Sequence, residues 1–125
     1  CDQMLECEGR WFDKPGSRAA AREQLLALSG RSHKLVTAAV VVRDGQRLWH
    51  HVATATMTMR PFGENFVEIY LDAAGDAVHS SVGAYQLEGL GAQLFSRVSG
   101  DYFGILGLPL LPLLDFLRSH GVVPA

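Results

Sequence analysis

The residues able to do chemistry are few and scattered. Glu88 sits inside a glycine-dense stretch, Val82-Gly83-Ala84-Tyr85-Gln86-Leu87-Glu88-Gly89-Leu90-Gly91, with Gln86 two positions before it. Glycine takes positive φ at no steric cost, so this density marks sharp turns or a close approach of backbone to a ligand. A carboxylate held among such turns can accept hydrogen bonds from a ligand's N–H groups; a carboxylate that merely caps a turn is the alternative. Asp2, beside polar Gln3, stands at the end of what reads as a buried strand. Carboxylates at the ends of strands commonly hold a metal or activate water in α/β proteins, and a solvated terminal acid is the other reading. Lys14, in Asp13-Lys14-Pro15-Gly16 just ahead of a predicted helix, would bind phosphate together with free backbone N–H groups, or it is a solvated loop lysine.

Other chemistry-bearing residues point away from a site. His33, His50, His51, His79 and His120 have no metal-ligand spacing, and the adjacent His50 and His51 leave a strand on opposite faces. All five read as structural or exposed. Trp11, Trp49, Tyr85 and Tyr102 read as core or rim residues. No Gly-x-Ser-x-Gly, Walker-type or Gly-x-Gly-x-x-Gly pattern occurs.

The elements that must position these groups follow from local signals. Asp2 to Phe12 predicts two short strands joined by a turn at Glu8-Gly9, and Ser17 predicts the cap of a helix from Arg18 to about Leu28, with Ala21, Leu25 and Leu28 inward and Ser29-Gly30 as its stop. The Val-rich run Leu35 to Arg43 predicts a central strand buried on both faces. Asp44-Gly45 is a strong hairpin signal, and Arg47 to Met59 is its returning partner, half-exposed along Thr54-Ala55-Thr56-Met57-Thr58-Met59 and stopped by Pro61. Glu64 to Ala73 predicts an amphipathic helix with Phe66, Ile69 and Tyr70 on one side, ended near Gly75. Gly91 to Val98 alternates like a strand, and Pro112 to Arg118 predicts a last helix closed by Gly121.

The 125 residues suit one α/β unit with a mixed sheet flanked by helices. A hydrophobic fraction of 48% and a charged fraction of 19% are those of a globular chain. The net charge of −2 gives no electrostatic case for a nucleic acid polymer or an anionic membrane. The longest apolar run, Ile105 to Leu114, is broken by Pro109 and Pro112. Cys1 and Cys7 are too few and too irregular for a disulfide framework or a zinc site, which points to reduced thiols and a cytoplasmic protein. The opening Cys1-Asp2-Gln3-Met4-Leu5 has neither an initiator Met nor the character of a leader, and it reads as a fragment beginning in mid-fold.

Taken in order, Asp2-Gln3, Asp13-Lys14-Pro15, Leu28-Ser29-Gly30 with His33 and Thr37, Gly83-Ala84-Tyr85, Glu88-Gly89, Gly100-Asp101-Tyr102 and Gly107-Leu108-Pro109 resemble the Maf-like nucleoside triphosphate pyrophosphatases. No single motif is diagnostic; the ordered set across nearly the whole chain is specific. The resemblance implies a mixed α/β fold shared with inosine-triphosphate pyrophosphatases and an active site in a cleft between two lobes. It also implies hydrolysis of a nucleoside triphosphate to the monophosphate and pyrophosphate, a divalent cation (Mg or Mn) as cofactor, and a homodimer. In that frame Asp2 falls on the catalytic carboxylate, a proton acceptor and metal ligand, and Lys14 falls on the phosphate-binding lysine.

Two departures bear on the expectation. The family opens with a Ser/Pro/Arg-Arg loop that holds phosphates, and nothing like it precedes Asp2, so residues 1–125 are expected to be the C-terminal portion of a single Maf-like domain and to be inactive alone. Members that prefer dTTP and UTP carry Thr after the catalytic Asp and Gln in the later glycine turn; this chain has Gln3 and Glu88 there, a pair resembling the subfamily that acts on 7-methyl-GTP. A guanine edge offers two adjacent donors that one carboxylate accepts together, and N7 methylation adds a positive charge. Other functions left open are a pyrophosphatase for dTTP and UTP, a non-catalytic nucleotide-binding module linked to cell division, and a bare α/β domain with purely structural glycine turns. On the homodimer, the apolar stretch Leu108 to Leu114 serves equally as interface or as core.

Overall fold

The computed structural model describes residues 1–79 and 82–124, apart from the side chains of residues 77 and 82. Five strands form one sheet in the order β2-β1-β3-β4-β5: β1 is Asp2–Cys7, β2 Arg10–Phe12, β3 Ser32–Arg43, β4 Gln46–Met59 and β5 Phe95–Ser99. Each of the four pairings is antiparallel, so the sheet expected to be mixed is antiparallel throughout the described residues. Tight turns explain two of the four pairings: Glu8-Gly9 joins β1 to β2 and Asp44-Gly45 joins β3 to β4, and such short loops can join only antiparallel neighbours.

Among the described residues four α-helices complete the α/β unit: α1 Arg18–Leu28, α2 Glu64–Ala74, α3 Tyr102–Leu106 and α4 Leu110–Ser119. Ser17 caps α1, its Oγ accepting from the Ala20 N–H at 3.1 Å, and Ala21, Leu25 and Leu28 are its buried stripe, as the spacing predicts. These residues meet Leu5, Leu35, Ala55, Met57 and Met59 of the sheet in one core, joined by Val67, Tyr70 and Leu71 of α2.

Three expectations change. The core lies on one face of the sheet, so β3 is buried on alternate residues only: His33, Leu35, Thr37 and Ala39 point inward while Lys34 and Val40 are exposed. A valine run signals β-propensity as readily as two-sided burial, and here it signals the former. In α2 the inner stripe is Val67, Tyr70 and Leu71, and Ile69 is 67% exposed. Both stripes satisfy helical spacing, and only packing against α1 selects between them. The stretch from Gly91 begins as a 3-10 turn, Leu90–Leu94, before β5 starts at Phe95. Within the stretch Leu108 to Leu114, Leu108 and Leu111 are exposed and Pro109 is buried. No helix of the described residues is long and apolar enough to cross a membrane.

Candidate functional site

Successive side chains leave a strand on opposite faces, and this separates Asp2 from Gln3 at the start of β1. Gln3 shares the core face with Leu5 and Cys7, and its Nε2 donates towards Thr37 Oγ1 (3.2 Å) and the carbonyls of Gly104 (3.1 Å) and Ile105 (2.9 Å). Thr37 Oγ1 donates to the same Gly104 carbonyl at 2.8 Å. At the other end of α3, Asp101 accepts from the N–H groups of Phe103 (3.2 Å) and Gly104 (3.1 Å). This short helix is therefore pinned at both ends, and the amide of Gln3 is oriented by the carbonyls it serves. With Nε2 committed to the protein, Oε1 is the part of Gln3 left to meet a ligand.

Gln3 opens onto a pocket lined also by Tyr85, Gln86, Leu87, Glu88, Ile105 and Leu106. The structure thus brings together Gln3 and Glu88, 85 positions apart, beside α3. The cavity measures about 30 Å³, room for a water or two, so it grips one edge of a ligand and does not enclose a whole one. Glu88 is exposed at its rim, and Tyr85 is buried behind it.

Tyr85 leads to a residue whose role the sequence did not reveal. His33, 1% exposed on β3, is bonded through Nε2 to Tyr85 Oη at 2.7 Å, and its ring lies 6.0 Å from that of Phe95. Burial holds the imidazole neutral by pushing its pKa down to about 4, and burial pushes the Tyr85 phenol well above its ordinary value. Among the described residues His33 Nδ1 is buried without a partner. The pairing spans 52 residues, and nothing local signals it. Of the other histidines, His50 and His120 are exposed and His51 and His79 half-buried.

Asp2 and Lys14 stand outside this pocket. Asp2 is solvent-exposed, the first residue of β1, a strand buried on alternate residues from Leu5 on, and its Oδ1 accepts from the Gln3 backbone N–H at 2.9 Å. Lys14 is exposed as well, on a loop fixed on either side of it: Gln24 Nε2 donates to the Asp13 carbonyl at 2.7 Å, and His79 Nδ1 donates to the Pro15 carbonyl at 3.1 Å. No motif announces this contact of His79. No group of three or more His, Cys, Asp or Glu side chains converges among the described residues. A lone carboxylate does not make an all-protein metal cage, but it does suit a hard divalent cation that takes its remaining ligands from substrate phosphates and water.

The geometry therefore offers a polar recognition corner at Gln3 and Glu88, an exposed carboxylate at the neighbouring position, and a loop lysine. The chain is 63% identical over 120 residues to a nucleoside triphosphate pyrophosphatase of Paramagnetospirillum magneticum, a match covering 96% of this chain and 62% of that protein. It is 61% identical over 122 residues to one of Rhodospirillum rubrum, covering 98% and 60%. One of Caulobacter vibrioides is 50% identical over 122 residues, covering 98% and 61%. The chain spans about three fifths of the length of these curated relatives. The family model described as Maf-like protein matches residues 1–120, nearly the whole chain and every residue of the candidate site, so the chain belongs to the Maf-like family.

Proposed function

We propose that this chain forms part of a nucleoside triphosphate pyrophosphatase that hydrolyses its substrate to the monophosphate and pyrophosphate, with Gln3 and Glu88 reading the base. One observation carries the reading: Gln3 and Glu88 line the same small polar pocket, and the Glu88 carboxylate and the Gln3 Oε1 left by its committed Nε2 are both acceptors. Acceptors there favour a base with adjacent N–H donors, as on the Watson–Crick edge of guanine. A pyrimidine carbonyl would instead face them with acceptor against acceptor, a mismatch that discriminates strongly. A cationic 7-methylguanine gains Coulomb attraction to Glu88 in addition. The relatives named nucleoside triphosphate pyrophosphatase support the reaction class.

In this reading Asp2 is the general base. Its Oδ2 would orient water and take the proton as oxygen attacks the α-phosphorus, and pyrophosphate leaves on the opposite side. Lys14 would offset negative charge growing on the leaving phosphates. A divalent cation such as Mg or Mn, held by Asp2, would supply charge neutralisation and Lewis acidity at the phosphates.

A pyrophosphate-release screen on the full-length protein that contains this chain tests this. We expect 7-methyl-GTP to be turned over with higher kcat/KM than dTTP or UTP, and Glu88→Gln to narrow that ratio by roughly tenfold, the scale of one charge-assisted hydrogen bond. A preference for pyrimidines, or a ratio untouched by Glu88→Gln, removes Glu88 as the base reader. Release from no nucleotide at all, with binding retained, would make the protein a nucleotide-binding module.

A further inference from the structure

The turn that presents Glu88 is held from inside the core by two residues that never reach the pocket. Gly83 has φ +79° and Ala84 φ +64°, so the left-handed region includes a residue with a side chain. A non-glycine backbone stays there only where its surroundings over-determine it. Gly83 permits the close packing: a Cβ at that position would lie 2.6 Å from Leu5 Cδ1 and 2.7 Å from Tyr85 Cε2.

The constraints come from two separate elements. Tyr70 of α2 donates its hydroxyl to the Ala84 carbonyl at 3.0 Å, and His33 of β3 is bonded to the hydroxyl of Tyr85, the next residue, at 2.7 Å. The Tyr85 ring meets Phe95 edge-on, with centroids 4.8 Å apart. Burial pushes the Tyr70 phenol up to about 12, so its hydroxyl remains a donor at any ordinary pH. On the far side of Tyr85, the Gln86 carbonyl accepts from the N–H groups of both Gly89 and Gly91, each at 3.1 Å, closing a loop with Glu88 at its apex. Among the described residues Glu88 has no hydrogen bond or ion pair of its own, so the placement of its backbone sets the region its carboxylate can reach.

We propose that Tyr70 and His33 are positioning residues for base recognition, anchoring the Ala84–Tyr85 segment so that Glu88 is held at the pocket beside Gln3. The proposal rests on the reading of Glu88 as the base-contacting carboxylate. A tyrosine filling core space needs only its ring, whereas here both hydroxyls are engaged at adjacent residues, Ala84 and Tyr85, four and three positions before Glu88.

Tyr70→Phe and Tyr85→Phe each delete one oxygen and preserve the ring, so the core stays filled. In the full chain we expect either change to speed amide hydrogen exchange at Gly89 and Gly91 roughly tenfold, the scale of one lost hydrogen bond. The kcat/KM ratio of 7-methyl-GTP over UTP should fall by roughly fivefold in both variants; in Tyr70→Phe, whose residue lies outside the pocket, kcat for 7-methyl-GTP should stay nearly unchanged and the loss fall on KM. A purely packing role would lower the melting temperature and leave the ratio alone. Unchanged exchange in both variants, or faster exchange with the ratio preserved, overturns the proposal. Glu88→Gln run alongside separates the two levels. If it shifts the ratio and the tyrosine variants do not, positioning alone fails; if it does not, the base reading fails and takes positioning with it.

Discussion

At the Gln3–Glu88 corner the chain is tied to the core at several points: α3 is pinned at both ends, and the turn before Glu88 is held by Tyr70 and His33. Asp2 and Lys14 also carry exposed side chains, as Glu88 does, but they stand apart from this pocket: Asp2 lies on β1 opposite Ala38 of β3, and Lys14 on a loop braced by Gln24 and His79. The contrast follows from what each half would do. Discrimination between bases needs acceptors that cannot move to suit the wrong partner, because a mismatch counts only if it cannot relax. Groups that act on water and phosphates are strongly hydrated, and burying them before a ligand arrives would cost more than it returns. The comparison predicts opposite signatures, with the exposed half moving activity without stability and the anchored half moving stability and selectivity.

The largest expected effect is on Asp2. Asp2→Asn should lower turnover by about 10²- to 10⁴-fold, the range for losing a general base, and leave the melting temperature where it was, since the carboxylate is exposed and bonded only to its neighbour's N–H. Pyrophosphate release and a thermal melt on the same sample decide it. Near-normal turnover would sink the assignment, and a large drop in melting temperature would break the contrast between the halves.

Gly91 should behave in the reverse way. A methyl group there would press on the Gln86 carbonyl oxygen and lie 2.9 Å from its carbon, both backbone atoms that cannot swing aside. Gly91→Ala should destabilise by about 3 kcal/mol, the upper end of ordinary overpacking, and narrow base selectivity as the Glu88 loop shifts. Urea denaturation reads the first effect. A stability within error of the parent would mean that the turn yields easily and is no rigid wall.

How much of this was legible in the sequence depended on how local the signal was. Ser17 with its inward Ala21, Leu25 and Leu28, and Asp44-Gly45 between two strands, are written within a dozen residues and came out as read. The glycine density around Glu88 announced a turn, and Gln3 and Glu88 do share a pocket. What the chain did not announce was decided by tertiary contact: which stripe of α2 faces inward, that β3 is covered on one face only, and that Leu90–Leu94 winds as a 3-10 turn because Gly89 and Gly91 both fold back on Gln86. His33 is the sharpest case. Its imidazole reads as one more structural histidine until Tyr85, far along the chain, is placed against it.

His33 also gives the smallest predicted effect, one that tests the anchored half without any substrate. Its pKa is about 4 in the folded protein against 6.5 for an ordinary histidine, because burial disfavours the charged ring. The unfolded chain therefore binds more protons than the folded one between those values, and stability must fall as pH falls through that window. The contribution is fully present above 6.5, begins to be lost below it, and levels off below about 4. At pH 5 the loss should be about 2 kcal/mol, from roughly 1.4 kcal/mol per pKa unit. Urea midpoints at pH 7.5 and pH 5, compared with those of His33→Phe, isolate the term, since the variant has nothing to titrate at that position. The parent should lose more stability than the variant between the two pH values; parallel losses would mean that His33 is reached by water and protonates in place, and that the bond to Tyr85 is too loose to anchor the turn.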